Sequence, residues 1–252
     1  MSGSIDIYDY WSQSGGDDLL LGSSFQEIFE KIQNRHHTFE LKDNYLRCID
    51  EGTTGGIHLA GSGILYPQAK MDLEGKVTGI FSHEGCGAAK LYVNLNQITT
   101  DDPDVVGDEK AKELAENLNV PYLGRISAEA MDRPAHLHTA RVVYYDGTGR
   151  FDPSRVHSLP QGFVISRKII SDVDYTKKEV EIAIQIAKGS HGFSNLFTEK
   201  SPLYLVAVSD HDKTSVPVEQ LIKELKEVAS GKDYLMVEPL VERVLETVGM
   251  EV

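Results

Sequence analysis

Apolar residues fall at helical spacing over Phe25, Ile28, Phe29 and Ile32, and Ser24 stands where the first turn of such a helix needs a cap. The period then shortens. Tyr45 to Ile49 reads as a short strand, followed by a turn-rich stretch from Asp50 to Gly56. Ile57 to Leu65 is apolar but broken by Gly61 and Gly63, so the backbone there bends or closely approaches a neighbour. Val77 to Ser82 predicts another strand, and the small residues after Cys86 suit a turn into a helix. Farther on, the spacing predicts helices over 108–118, 177–188, 218–229 and 239–248, and strands over 140–145, 163–170 and 203–209. An Asp146-Gly147 turn follows the strand over 140–145. Several strands, Leu203 to Ser209 above all, are apolar on both faces. Alternating helices and doubly buried strands indicate an α/β fold, a mainly parallel sheet flanked by helices.

The 252 residues fit one α/β domain, with residues 1–23, rich in Gly, Ser and Asp, as a loose arm. Val208-Ser209-Asp210-His211 weakly echoes Phe81-Ser82-His83-Glu84 as a polar cluster at a strand end, and no convincing repeat is legible. Lys and Arg number 25 against 39 Asp and Glu, a net charge of −14, which argues against nucleic-acid and anionic-membrane partners. No apolar run has the length of a membrane span, and the acidic, polar start is unlike a secretory signal, so a cytoplasmic location is expected.

The chain has two cysteines, Cys48 and Cys86, too few for a disulfide scaffold. Both lie in clusters at the carboxyl ends of predicted strands, where open parallel sheets gather their ligands. Cys48-Ile49-Asp50 offers a thiolate and a carboxylate two apart, on one side of an extended chain. His83-Glu84-Gly85-Cys86 offers an imidazole and a second thiolate that a turn can bring together. Cys48, His83, Cys86 and Asp50 make a sufficient ligand set for a tetrahedral zinc, and thiolates also accept cadmium or cobalt.

Cys48-x-Asp50 followed by His83-x-x-Cys86-Gly87 resembles the signature of the β-class carbonic anhydrases, including their algal low-CO2-inducible and cadmium-using relatives. Leu59-Ala60-Gly61-Ser62-Gly63-Ile64 stands where that family has an Asn-Ala-Gly stretch, and Val142 to Gly149 resembles its late strand and turn. The resemblance covers about residues 40–150. It implies a parallel-sheet core, an obligate homodimer, and zinc on Cys48, His83 and Cys86, with water or the aspartate in the fourth position.

One departure stands out: the family has Cys-x-Asp-x-Arg, the arginine holding the aspartate off the metal, whereas this chain has Gly52. Either another cation (Arg125, Arg133 or Arg141) substitutes, or Asp50 is itself the fourth ligand. The stretch from Cys48 to His83 is also short for the family, so its helix is expected to be reduced. The resulting expectation is a zinc-dependent carbonic anhydrase hydrating CO2 to bicarbonate, with Asp50 orienting the nucleophile or gating the metal and Asp50, His58 or water passing the proton. Related alternatives are a zinc hydrolase of COS or CS2, and a non-catalytic, zinc-stabilised binding protein closed by Asp50. Glu84 reads as a solvated turn residue, and His36-His37 and His136-x-His138 as surface pairs. His211 reads as an ordinary polar residue, and Tyr144 and Tyr145 as strand residues, one buried and one outward. No Gly-Lys-Ser/Thr or dinucleotide spacing follows the glycines. Residues 151–252 are expected to complete the sheet or to build a dimer face through Lys177 to Lys188.

Overall fold

Short runs of β-branched, aromatic and aliphatic residues form two separate four-stranded sheets within the computed structural model, which describes residues 22–135, 137–156, 159–189, 191–193 and 196–242. The first contains β1 (Tyr45–Arg47), β2 (Ile57–His58), β3 (Gly79–His83) and β4 (Tyr122–Ile126) in the order β2-β1-β3-β4. The second contains β5 (Val142–Asp146), β6 (Phe163–Ile165), β7 (Leu203–Asp210) and β8 (Leu235–Glu242) in the order β6-β5-β7-β8. Every pairing is parallel. Among the described residues the second half therefore adds no strand to the first sheet but builds its own, with the same strand order. This is a repeat that the residues scarcely announce, because it lies in connectivity rather than in side chains.

Among the described residues six helices accompany the sheets: α1 (Phe25–Lys31), α2 (Ala69–Leu73), α3 (Gly87–Leu95), α4 (Pro103–Leu118), α5 (Val173–Ala187) and α6 (Val218–Ala229). Ser24 closes a capping box with Glu27 at the head of α1, whose Phe25 and Phe29 are fully buried. The helix expected from 108 begins at Pro103, because Asp102 accepts from the Asp104 N–H and proline suits the first helical position. The helix expected from 177 begins at Val173, capped by Asp172. Between β2 and β3 the chain carries only a 3-10 turn, Ala60–Gly63, and the five residues of α2, consistent with a reduced helix.

The helix expected over 239–248 is not formed at 239–242. Those residues end β8, paired along its whole length with β7, and residues 243–248 lie outside the described segments. Pro239 is tolerated because β8 is an edge strand. The expected arm over 1–23 lies outside the described residues except for Gly22 and Ser23. Tyr144 and Tyr145 are both fully buried, since helices and loops cover the second sheet on both faces. Their hydroxyls find Pro160 O and Glu224 Oε2, each at 2.7 Å.

The sheets meet at β2 and β6, where Ser166 N–H donates to His58 O at 3.1 Å and His58 N–H to Ser166 Oγ at 2.9 Å. The larger apolar core crosses this junction, joining Cys48, Ile49, Ala60 and Cys86 to Tyr144, Phe163, Val180 and Ala183. The cysteines thus sit where the two halves join. Among the described residues no helix is long and apolar enough to cross a membrane.

Candidate metal centre

Adjacent parallel strands carry their ends to one place. β1 delivers Cys48 and, two residues on, Asp50, and β3 ends on His83. The turn through Gly85, at φ +70°, brings Cys86 to the head of α3. Asp104, in the first turn of α4, fixes that turn by accepting from the Gly85 and Cys86 N–H groups at 2.7 and 3.1 Å. As a result one donor atom each from Cys48, His83 and Cys86 lies within 4.8 Å of the others, all three residues buried. Neither cysteine is in a disulfide.

The histidine is oriented for coordination. Its Nδ1 bonds Glu84 O at 2.9 Å, which assigns the proton to Nδ1, while the buried Nε2 has no hydrogen-bond partner among the described residues. A buried ring nitrogen left without a partner beside two sulfurs is a group that a cation could satisfy. The thiol pair is electrostatically uneven. A hydrogen bond from Cys86 holds the Cys48 thiol well below its ordinary range despite burial, and the same bond together with burial holds Cys86 well above it. Burial pushes the His83 imidazole down, yet the Cys48 thiolate beside it lifts the ring to about 9. Two sulfurs and one imidazole nitrogen are a donor set for zinc, cadmium or cobalt.

Arg133 settles the partner of Asp50. Its Nε donates to Asp50 Oδ1 at 2.7 Å and its Nη2 to Oδ2 at 3.0 Å, with both side chains buried, and Gly52 N–H adds a third bond at 3.0 Å. Burial alone would raise the Asp50 carboxyl; His83, His138 and Arg133 instead hold it well below the ordinary carboxylate range. The glycine at 52 has a steric reason, because a Cβ there would lie 2.8 Å from Arg133 Cγ and 2.9 Å from Met131 Cβ. Arg133 occupies the space beside position 52 and reaches Asp50 from 83 residues away. Of the other candidate cations, Arg125 pairs with Asp108 at 2.7 Å, and Arg141 bonds Ser201 and stacks on Phe193 and Phe197.

A cavity of about 720 Å³ opens at Cys86, lined by Glu84, Cys86, Lys90, Arg133 and His138 from the first half and by Gln185, Ile186 and His191 from the second. His138, expected at the surface, is largely buried here. Its Nδ1 lies 3.0 Å from Glu51 Oε2 and 3.9 Å from Asp50 Oδ2, and the Glu51 carboxylate raises the ring's pKa against the downward push of burial. His136 lies outside the described residues. Glu84, also expected to be solvated, lines the cavity and accepts from Ala128 N–H at 3.0 Å.

His58 lies behind the cluster. It is buried, its Nδ1 is 2.6 Å from Cys48 O, and it borders a separate, smaller space with Thr54, Asp152 and Val164. Burial lowers its pKa. His36, His37 and Glu40 group at the surface, and His211 stands at the carboxyl end of the second sheet.

Three contributors escaped the sequence. Glu51 and His138 lie far apart in the chain, and Asp104 is one acid of many. Glu179 left a trace: it stands in the buried stripe of α5 with Tyr175, Val180 and Ala183, a carboxyl where the period demands an apolar residue. Comparison with protein-family models, curated proteins and solved structures finds no match to this chain.

Proposed function

We propose that this chain is a cytoplasmic zinc-dependent carbonic anhydrase that interconverts CO2 and bicarbonate. The observation that carries the reading is the combination of three converging donors, Cys48, His83 and Cys86, with an Asp50 already engaged by Arg133. Zinc held by those donors would supply a Lewis acid that brings the pKa of a water to about 7, giving hydroxide for attack on CO2 at neutral pH.

The chain's own residues supply the rest. Asp50, fixed by Arg133 and Gly52, presents an oriented acceptor beside the donors and is withheld from the fourth ligand position. Arg133 puts positive charge on the cavity wall where an anionic product leaves, and the His138 ring stands beside it. Glu51, bonded to His138 and to Thr139 N–H, keeps that ring in place. The engaged Asp50 favours this enzyme over a closed, non-catalytic site.

The test combines elemental analysis with stopped-flow CO2 hydration on one preparation. The reading expects zinc on the purified chain and hydration that disappears with a chelator. Zinc content with no turnover of CO2, alongside turnover of COS or CS2, would transfer the assignment to those heterocumulenes. The homodimer implied by the resemblance belongs to the same proposal, and light scattering that finds the mass of a single chain in the active protein would remove it.

A further inference from the structure

Glu179 is fully buried in α5, within the second half of the chain, and forms no ion pair among the described residues. A buried carboxyl without a cation is expensive and calls for a compensating contact. Its polar neighbours are the Tyr175 hydroxyl, one turn earlier, and the Ala60 N–H, which donates to Oε1 at 2.8 Å. The next peptide carries the consequence: Gly61 N–H donates to Cys48 Sγ at 3.2 Å.

The local backbone serves that aim. Gly61 and Ser62 are both left-handed, at φ +57° and +55°, and a Cβ on Gly61 would lie 2.5 Å from Ile64 Cγ2 and 2.9 Å from Ala88 Cβ. Ser62 is held in this unfavourable region by its hydroxyl, which donates to Phe81 O at 2.5 Å. Glu179 grips the peptide immediately before this pair. An N–H bond to a ligating sulfur withdraws electron density from it and tunes what it donates to the metal.

We infer that Glu179 is a positioning residue which, from the half of the chain that holds none of the metal donors, keeps Gly61 N–H aimed at Cys48 Sγ and so sets the donor strength of that thiolate. The inference rests on the reading of Cys48 as a metal ligand. Burial also raises the Glu179 pKa to about 8, so the side chain is mainly a neutral acid at pH 7, and glutamine is its close isostere.

The experiment loads wild type, Glu179→Gln and Glu179→Leu with cobalt(II), records the sulfur-to-cobalt charge-transfer band, and measures zinc affinity against a chromophoric chelator. Glu179→Gln, which keeps a carbonyl acceptor for Ala60, is expected to match wild type in both. Glu179→Leu is expected to move the band to longer wavelength and to weaken zinc binding by about ten-fold. If Glu179→Leu does not fold, Glu179→Asp, whose carboxyl is withdrawn by one methylene, takes its place with the same expected changes. A leucine or aspartate variant with the wild-type band and affinity overturns the inference alone. Wild-type protein that takes up neither metal overturns the metal reading, and this inference with it.

Discussion

The carboxyl ends of the two sheets share a strand order but differ in what their polar groups lack. At the second sheet, Asp146 spends both oxygens on its own loop, accepting from Thr148 N–H and Oγ–H at 2.7 and 2.6 Å and from Phe151 N–H at 3.3 Å. Ser209 donates to Val216 O at 2.8 Å, and Asp210 pairs with Arg150 at 2.6 Å. At the first sheet, two thiols converge with a His83 Nε2 that has no hydrogen-bond partner among the described residues. The parallel order supplies a crevice in both places. What makes one of them a candidate centre is a buried ring nitrogen left without a partner beside two thiols, and what closes the other is a loop that satisfies itself.

The largest expected contrast is in metal content. Cys48→Ser or His83→Ala should take the chain from about one bound zinc to none, whereas Asp146→Asn or Ser209→Ala should leave the content unchanged. Elemental analysis of the four variants checks this, and a second equivalent of zinc in wild type would break the comparison. Next comes Arg133→Leu, which strands a buried carboxylate and should cost about 3–5 kcal/mol in urea denaturation. The surviving folded protein should keep its zinc but lose CO2 hydration, because Asp50 is then free to turn to the metal.

A third test uses pH. Folded Glu179 holds its proton up to about 8, against 4.5 for an ordinary glutamate. Its contribution to stability is therefore whole below about pH 4.5 and is lost as the pH rises through about 8, an effect on the order of a few kcal/mol. With chelator present, wild type should melt lower at pH 8 than at pH 5, and Glu179→Gln should narrow that gap. Smallest is Asp146→Ala, expected to cost about 1–3 kcal/mol through three orphaned donors, with no change in metal affinity.

The fold class was legible because alternating periods and doubly apolar strands such as Leu203–Asp210 leave little choice of layer. Boundaries were harder. Asp102 and Asp172 start helices ahead of the amphipathic pattern, and pairing with β7 overrides the helical spacing after Pro239. Cys48, His83 and Cys86 could be read off because rare residues stood at strand ends. Arg133, His138 and Glu179 could not be placed, since each reaches the centre by tertiary folding, and an arginine or glutamate in isolation is most often a solvated charge.

Because the Arg133 stem fills the room beside Gly52, the two ways of guarding Asp50 exclude one another. Installing arginine at position 52 to mend the motif would jam the loop unless residue 133 were trimmed in the same step.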